Sequence, residues 1–221
     1  KTLEKHRNIT SIEAILFGQA GFLNETKEDE YYLKLKKEYE FLKNKFKLTP
    51  LNQSVWKFLR LRPYNFPTVR IAQIAQLITS NPRMFNQFLN AEKLNDIQKI
   101  LSVSASSYWD NHFNFESNSK QKTPKKLGTQ TINNLIINVV IPVTFVYGKT
   151  INNEDVIVKS LNWLEELKAE NNTIIKNWKA LKINPTSALQ SQALIELKNN
   201  YCSEKKCLNC NIGNKLLKQS I

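Results

Sequence analysis

Arginine and histidine are scarce in this chain. Only five of its 32 basic residues are Arg, and it has two His. Long apolar runs are missing as well. The longest, Leu135 to Tyr147, is broken by Asn138 and Pro142 and falls short of the roughly 18 residues a membrane span needs, so none is expected. No stretch has the form of a secretory signal, and a cytoplasmic setting is expected. No segment alternates apolar and polar residues long enough to read as a strand, which excludes a sheet-based fold. The small segment Gly18-Gln19-Ala20-Gly21-Phe22 has no strand before it and no Gly-Lys-Ser/Thr after it, which excludes a phosphate-binding P-loop. Its size suits the close approach of another segment instead.

The residues that are present outline a helical protein. Thr10-Ser11-Ile12-Glu13 has the form of a capping box, opening a helix to about Gly18. From Thr26 to about Lys47, the residues Tyr32, Leu35, Tyr39, Leu42 and Phe46 recur at alternating spacings of three and four, an apolar seam among lysines. Pro67 suits the first position of a helix through Ile78. Further helices are expected at about 82–90, 92–102, 129–147 with a bend at Pro142, 153–169, then one through Trp178 to about Lys182, and 186–201. The fold class is all-α, a bundle of about nine or ten helices ending in a short cysteine knuckle. Ser117 to Lys126 reads as an exposed loop between an N-terminal half, 1–116, and a C-terminal half, 127–221, the two together forming one compact unit. The first residue is Lys1, and the expectation is a piece of a longer protein with no catalytic centre in this part.

The formal net charge of +13 favours polyanions, nucleic acid before an acidic membrane surface. Most of that charge is diffuse Lys. The exception is the stretch from Trp56 to Arg70, which gathers Arg60, Arg62 and Arg70 with Trp56, Phe58, Tyr64 and Phe66; Arg83 follows. Lys and Arg differ wherever a planar fork must hold a phosphate or stack on a ring. Arg60, Arg62, Arg70 and Arg83 are therefore candidate phosphate contacts, with Trp56 and Tyr64 as supporting or stacking rings. The competing reading is a scaffold whose arginines pair internally with carboxylates, cover a core edge or dock onto a further domain of a longer protein.

All three cysteines fall within nine residues, as Cys202-x4-Cys207-x2-Cys210. Three cysteines cannot all pair as disulfides, and the x2 spacing suits metal ligation, by zinc or an iron–sulfur cluster. A closed site wants a fourth ligand; His112 is the first candidate, with Asp110, Glu204 and His6 behind it. A metal-dependent enzyme using His112 and the cysteines ranks last among the functional readings. Asn134 and Asn138, four apart on an apolar helix, are expected to tie neighbouring helices together.

The segments Phe17-Gly18-Gln19-Ala20-Gly21-Phe22-Leu23, Trp56 to Pro63, Asn65-Phe66-Pro67, Tyr108-Trp109-Asp110, Lys126-Leu127-Gly128 and Tyr201 to Gly213 resemble the C-terminal part of an uncharacterised bacterial domain-of-unknown-function family. Full-length members of that family begin with a domain that resembles restriction-endonuclease-like nucleases. The resemblance implies a helical partner to a nuclease-like domain and carries over no catalytic residue.

Overall fold

The computed structural model describes residues 8–115 and 118–219; His6 and Ser117 lie outside them. All regular structure among the described residues is helical, and pairing between extended segments is limited to three isolated bridges. The fold is all-α, as the sequence patterning implies. Backbone packing divides it into two units. One runs up to Gln87 and resumes at Ile97–Ile132; the other comprises Phe88–Asp96 and the chain from Asn133 onward.

The first unit is built on α1 (Ile9–Gln19), which packs against α2 (Glu30–Phe46) and α3 (Pro67–Ser80). The expected capping box is not the cap of α1. Asn8 caps it, its side-chain oxygen accepting the Ser11 N–H at 2.8 Å, while Glu13 is drawn into the core. Tyr32, Leu35, Tyr39 and Leu42 of α2 are buried as their spacing implies. The helix starts later than Thr26 because Asp29 caps it, accepting from the Tyr32 N–H at 2.7 Å. Pro67 occupies the first turn of α3, where its missing N–H costs nothing. The core gathers Phe17, Phe22, Trp109 and Phe115, with Phe17 stacked on Trp109 at 5.1 Å between ring centroids.

Both glycines of the 17–22 segment are required by packing. The Tyr39 ring lies directly on Gly18, and its hydroxyl accepts from the Gln19 side-chain amide at 2.8 Å. Gly21 has φ +81 with the Leu51 carbonyl against its Cα, and the Leu51 N–H donates to the Gln19 carbonyl at 2.8 Å. Close approach, rather than phosphate binding, is what this segment provides.

α4 (Met84–Asn90) and α5 (Leu94–Leu101) follow, and then α6 (Thr129–Leu135) leads into the second unit. A π-turn, Ile136–Val140, joins α6 to α7 (Ile141–Thr150). The wide turn falls immediately ahead of Pro142, whose ring cannot sit against a regular preceding turn. Thr129–Thr150 is thus one helical stretch of 22 residues, long and apolar enough to cross a membrane by length and composition alone; its buried face packs on α8 (Glu154–Glu166), where Ile157 rests on Gly148. Asn134 and Asn138 do not tie helices together. Both are exposed, and the Asn138 amide donates to the Asn134 carbonyl of its own helix at 2.9 Å.

Asn153 caps α8, Asn172 caps α9 (Thr173–Ala180) and Ser187 caps α10 (Ala188–Glu196). Trp163, Ile175 and Ala188 lie in this unit's interior. A second π-turn, Leu197–Cys202, ends α10; a single 3-10 turn, Cys207–Asn209, precedes α11 (Asn211–Gln219).

Candidate functional site

The arginine-rich stretch forms a pair of tight turns on the first unit. The Leu61 N–H donates to the Phe58 carbonyl at 3.1 Å, closing a four-residue turn with Leu59 and Arg60 at its tip. Leu59 is 84 % exposed and Arg60 is exposed with φ 65. A left-handed residue at the third position of such a turn is ordinarily glycine, and a side chain there costs about 1–2 kcal/mol. The second turn is the 3-10 segment Pro63–Asn65, entered by exposed Arg62 in extended conformation. Arg83, also exposed, stands just before α4. None of Arg60, Arg62, Arg70 or Arg83 has a carboxylate partner among the described residues.

Arg70, half-buried in the first turn of α3, is the most constrained of the four. Its guanidinium donates to Asn65 Oδ1 at 2.6 Å and Gln73 Oε1 at 2.9 Å, both neutral acceptors. Burial alone lowers its pKa, and no anion offsets that effect. Gln73 in turn donates to the Lys125 carbonyl at 3.0 Å. Lys125 is the surprise of the polar 118–126 segment: only 1 % exposed, it donates to the Asp110 and Thr123 carbonyls at 2.9 and 3.0 Å and lies 4.2 Å from the Phe113 and 5.2 Å from the Tyr64 ring centroids. Burial lowers its pKa, partly offset by Asp110. The segment is therefore not a free loop; Lys125 pins it beneath Tyr64, which keeps 48 % of its surface exposed.

Trp56 is half-buried, its indole N–H donating to the Ala20 carbonyl at 2.8 Å and its ring tilted 5.7 Å from Phe22. It braces the stretch against the close-packed glycine segment. Beside it lies a cleft of about 330 Å³, walled by Phe22, Phe58, Phe66 and Phe115, with Lys27, Gln53 and Asn114 at its polar margins.

A second polar centre, absent from the sequence reading, sits inside the first unit. Glu13 is fully buried and accepts hydrogen bonds from the Tyr31 hydroxyl and, at 2.9 Å, from Ser106. Tyr31 stacks on Tyr108 at 4.2 Å, and Tyr108 on His112 at 3.9 Å. Burial raises Glu13 above the ordinary 4.5, while the bonds from Tyr31 and Ser106 pull it back. Burial, with Glu13 alongside, raises Tyr31. The folded chain thus holds the Glu13 proton more tightly than the unfolded chain does. Its stabilising contribution is full below about pH 4.5 and is lost as pH rises through the raised folded value. The variant Glu13→Gln removes that loss. Its stability relative to the native chain should increase between pH 4 and pH 8, measured by chemical denaturation; an unchanging difference would show that the folded and unfolded chains hold the Glu13 proton equally.

His112 is buried in the first unit, its Nδ1 2.7 Å from the Tyr108 carbonyl, so Nδ1 carries the proton and donates. Cys202, Cys207 and Cys210 belong to the second unit and carry free thiols that border one cavity of about 220 Å³, together with Trp178, Leu197 and Tyr201. Gly213 lies against the Cys207 carbonyl, closing the knuckle. Among the described residues, no three His, Cys, Asp or Glu side chains are gathered into a group that could hold a metal ion.

The described residues define an all-α protein with an aromatic core and an arginine-tipped turn at its surface. The chain belongs to the family described as "Protein of unknown function (DUF2851)", whose model matches residues 1–173. No curated protein and no solved structure matches it.

Proposed function

We propose that the first unit binds nucleic acid through the turns at 58–65, holding the strand for a nuclease-like domain that lies outside this sequence. One observation carries the reading. Arg60, Arg62 and Arg83 are exposed without a carboxylate partner among the described residues, and Arg60 is held in a backbone conformation that favours glycine. Lys47, Asn152, Lys182 and Lys205 share that exposed, left-handed backbone, so the outward-facing guanidiniums without a carboxylate carry the weight of the reading. The internally paired form of the scaffold alternative needs ion pairs at these arginines, and the described residues supply none. The partnership with a nuclease-like domain rests on the family resemblance of the motifs. Titration of a labelled twelve-nucleotide single strand, followed by anisotropy at several salt concentrations, tests the binding. Affinity should fall steeply with salt, since each phosphate neutralised on a single strand contributes a log–log slope of about −0.7. Salt-insensitive binding, or none at low salt, would overturn the reading.

A second reading concerns the cysteines. Their shared cavity and the C-x4-C-x2-C spacing favour a thiolate-bound zinc or iron–sulfur centre, although the side chains stand apart from a coordination shell and His112 belongs to the other unit. Elemental analysis of protein purified without chelator should find about one metal centre per chain, abolished by Cys207→Ser/Cys210→Ser. Metal-free protein of unchanged stability would leave three reduced thiols bordering an apolar cavity.

A further inference from the structure

The cleft beside the arginine turns is unusual in its walls. Phe58 and Phe66 bracket the stretch that carries Arg60 and Arg62, and both face the cleft. Their rings meet edge to face at 5.1 Å; Phe22 meets Phe58 the same way at 5.9 Å. Phe22 and Phe115 are buried, whereas Phe58 and Phe66 are half-buried, so the cleft has a fixed floor and a rim open to solvent. The volume, about 330 Å³, lies at the small end of the roughly 300–1,000 Å³ of small-molecule sites and suits a single planar ring system. The Gln53 amide in its lining can donate and accept, as the edge of a base requires. Lys27, which also lines the cleft, is paired with Glu25 at 2.8 Å.

We propose that this cleft takes one unstacked nucleobase of a single strand whose phosphates lie along Arg60 and Arg62. The inference rests on the nucleic-acid reading above and deepens it by naming the substrate as unpaired nucleic acid. The reasoning is geometric. Phe58 and Arg60 are separated by one residue across a hydrogen-bonded turn, so a ring-lined slot and a phosphate contact are offered within one nucleotide's reach. A duplex keeps its bases stacked and paired and cannot fill the slot without extruding one. A free strand can do so at little expense, and aromatic stacking is indifferent to which base enters.

Two probes with the same number of phosphates separate the claims. One is a twelve-nucleotide oligothymidylate; the other is the same backbone built from abasic residues. The native chain should bind the thymidylate about ten- to a hundredfold more tightly than the abasic strand, the range that corresponds to one stacked base. It should also prefer the thymidylate to a duplex of equal length at matched salt. Phe58→Leu should erase the difference between the two strands while retaining binding to the abasic one. Equal, salt-sensitive binding of both strands by the native chain would overturn the base-binding cleft and leave the arginine contacts standing. Failure to bind either strand at low salt would overturn both. The comparison of the two strands uses the unaltered protein, so it stands even where Phe58→Leu does not fold.

Discussion

Gly18→Ala should destabilise the first unit by at least about 2 kcal/mol net, the upper part of the range for overpacking a filled core. A Cβ there would stand 2.2 Å from Tyr39 ring atoms, inside any contact real side chains make. The ring has no room to yield. Tyr39 is fully buried in the α1–α2 seam, and its hydroxyl is held by Gln19. Against this, alanine improves a helix interior by about 1 kcal/mol over glycine, so the steric term decides the sign. Gly21→Ala should be comparably damaging, because the added carbon would meet the Leu51 carbonyl at 2.4 Å at a residue with φ +81. Gly128→Ala is the control: nothing lies within 4 Å of its position, and stability should change little. Thermal unfolding of the three variants measures the contrast. Equal midpoints for Gly18→Ala and Gly128→Ala would mean that α1 and α2 do not pack through that glycine.

Arg60→Ala/Arg62→Ala should lower affinity for a single strand about ten- to a hundredfold at low salt, the loss of two charge-assisted contacts. Both side chains are exposed, neither has a carboxylate partner among the described residues, and neither lies in the unit's core. Loss of binding would therefore not follow from loss of fold. Arg60→Gly sharpens the test. Glycine suits φ 65, so this variant should gain roughly 1 kcal/mol of stability while losing the phosphate contact. A stability gain paired with a binding loss is the signature of a residue retained for its side chain. Arg70 should behave otherwise. Its bonds to Asn65 and Gln73 hold the second turn to α3, so Arg70→Ala should reduce stability as well as binding.

Local chemistry made much of this fold legible. The seam of α2, Pro67 at the start of α3 and Asn153 ahead of α8 follow from spacing and caps. The 17–22 segment could be read as a point of close approach because small residues have few other uses there. Glu13 could not be read in the same way. Its capping-box spacing points to a local bond, while its partners, Tyr31 and Ser106, come from 18 and 93 residues away. Lys125 gave no signal either: a lysine in a Ser/Asn/Lys-rich segment reads as solvated, and only the folded chain brings Phe113 and Tyr64 over it. The phenylalanine cleft is likewise a product of tertiary packing, since its walls come from three separate stretches of chain. The Arg-poor background did leave a trace: with five arginines among 32 basic residues, the cluster at 60–83 stands out in the sequence itself.

The most direct measurement is the salt dependence of single-strand binding by the native chain and by Arg60→Ala/Arg62→Ala, side by side. If the turn holds two phosphates, the double variant's log–log slope should be shallower by about 1.4, twice the single-strand value per phosphate. Identical slopes and affinities for the two proteins would contradict the account.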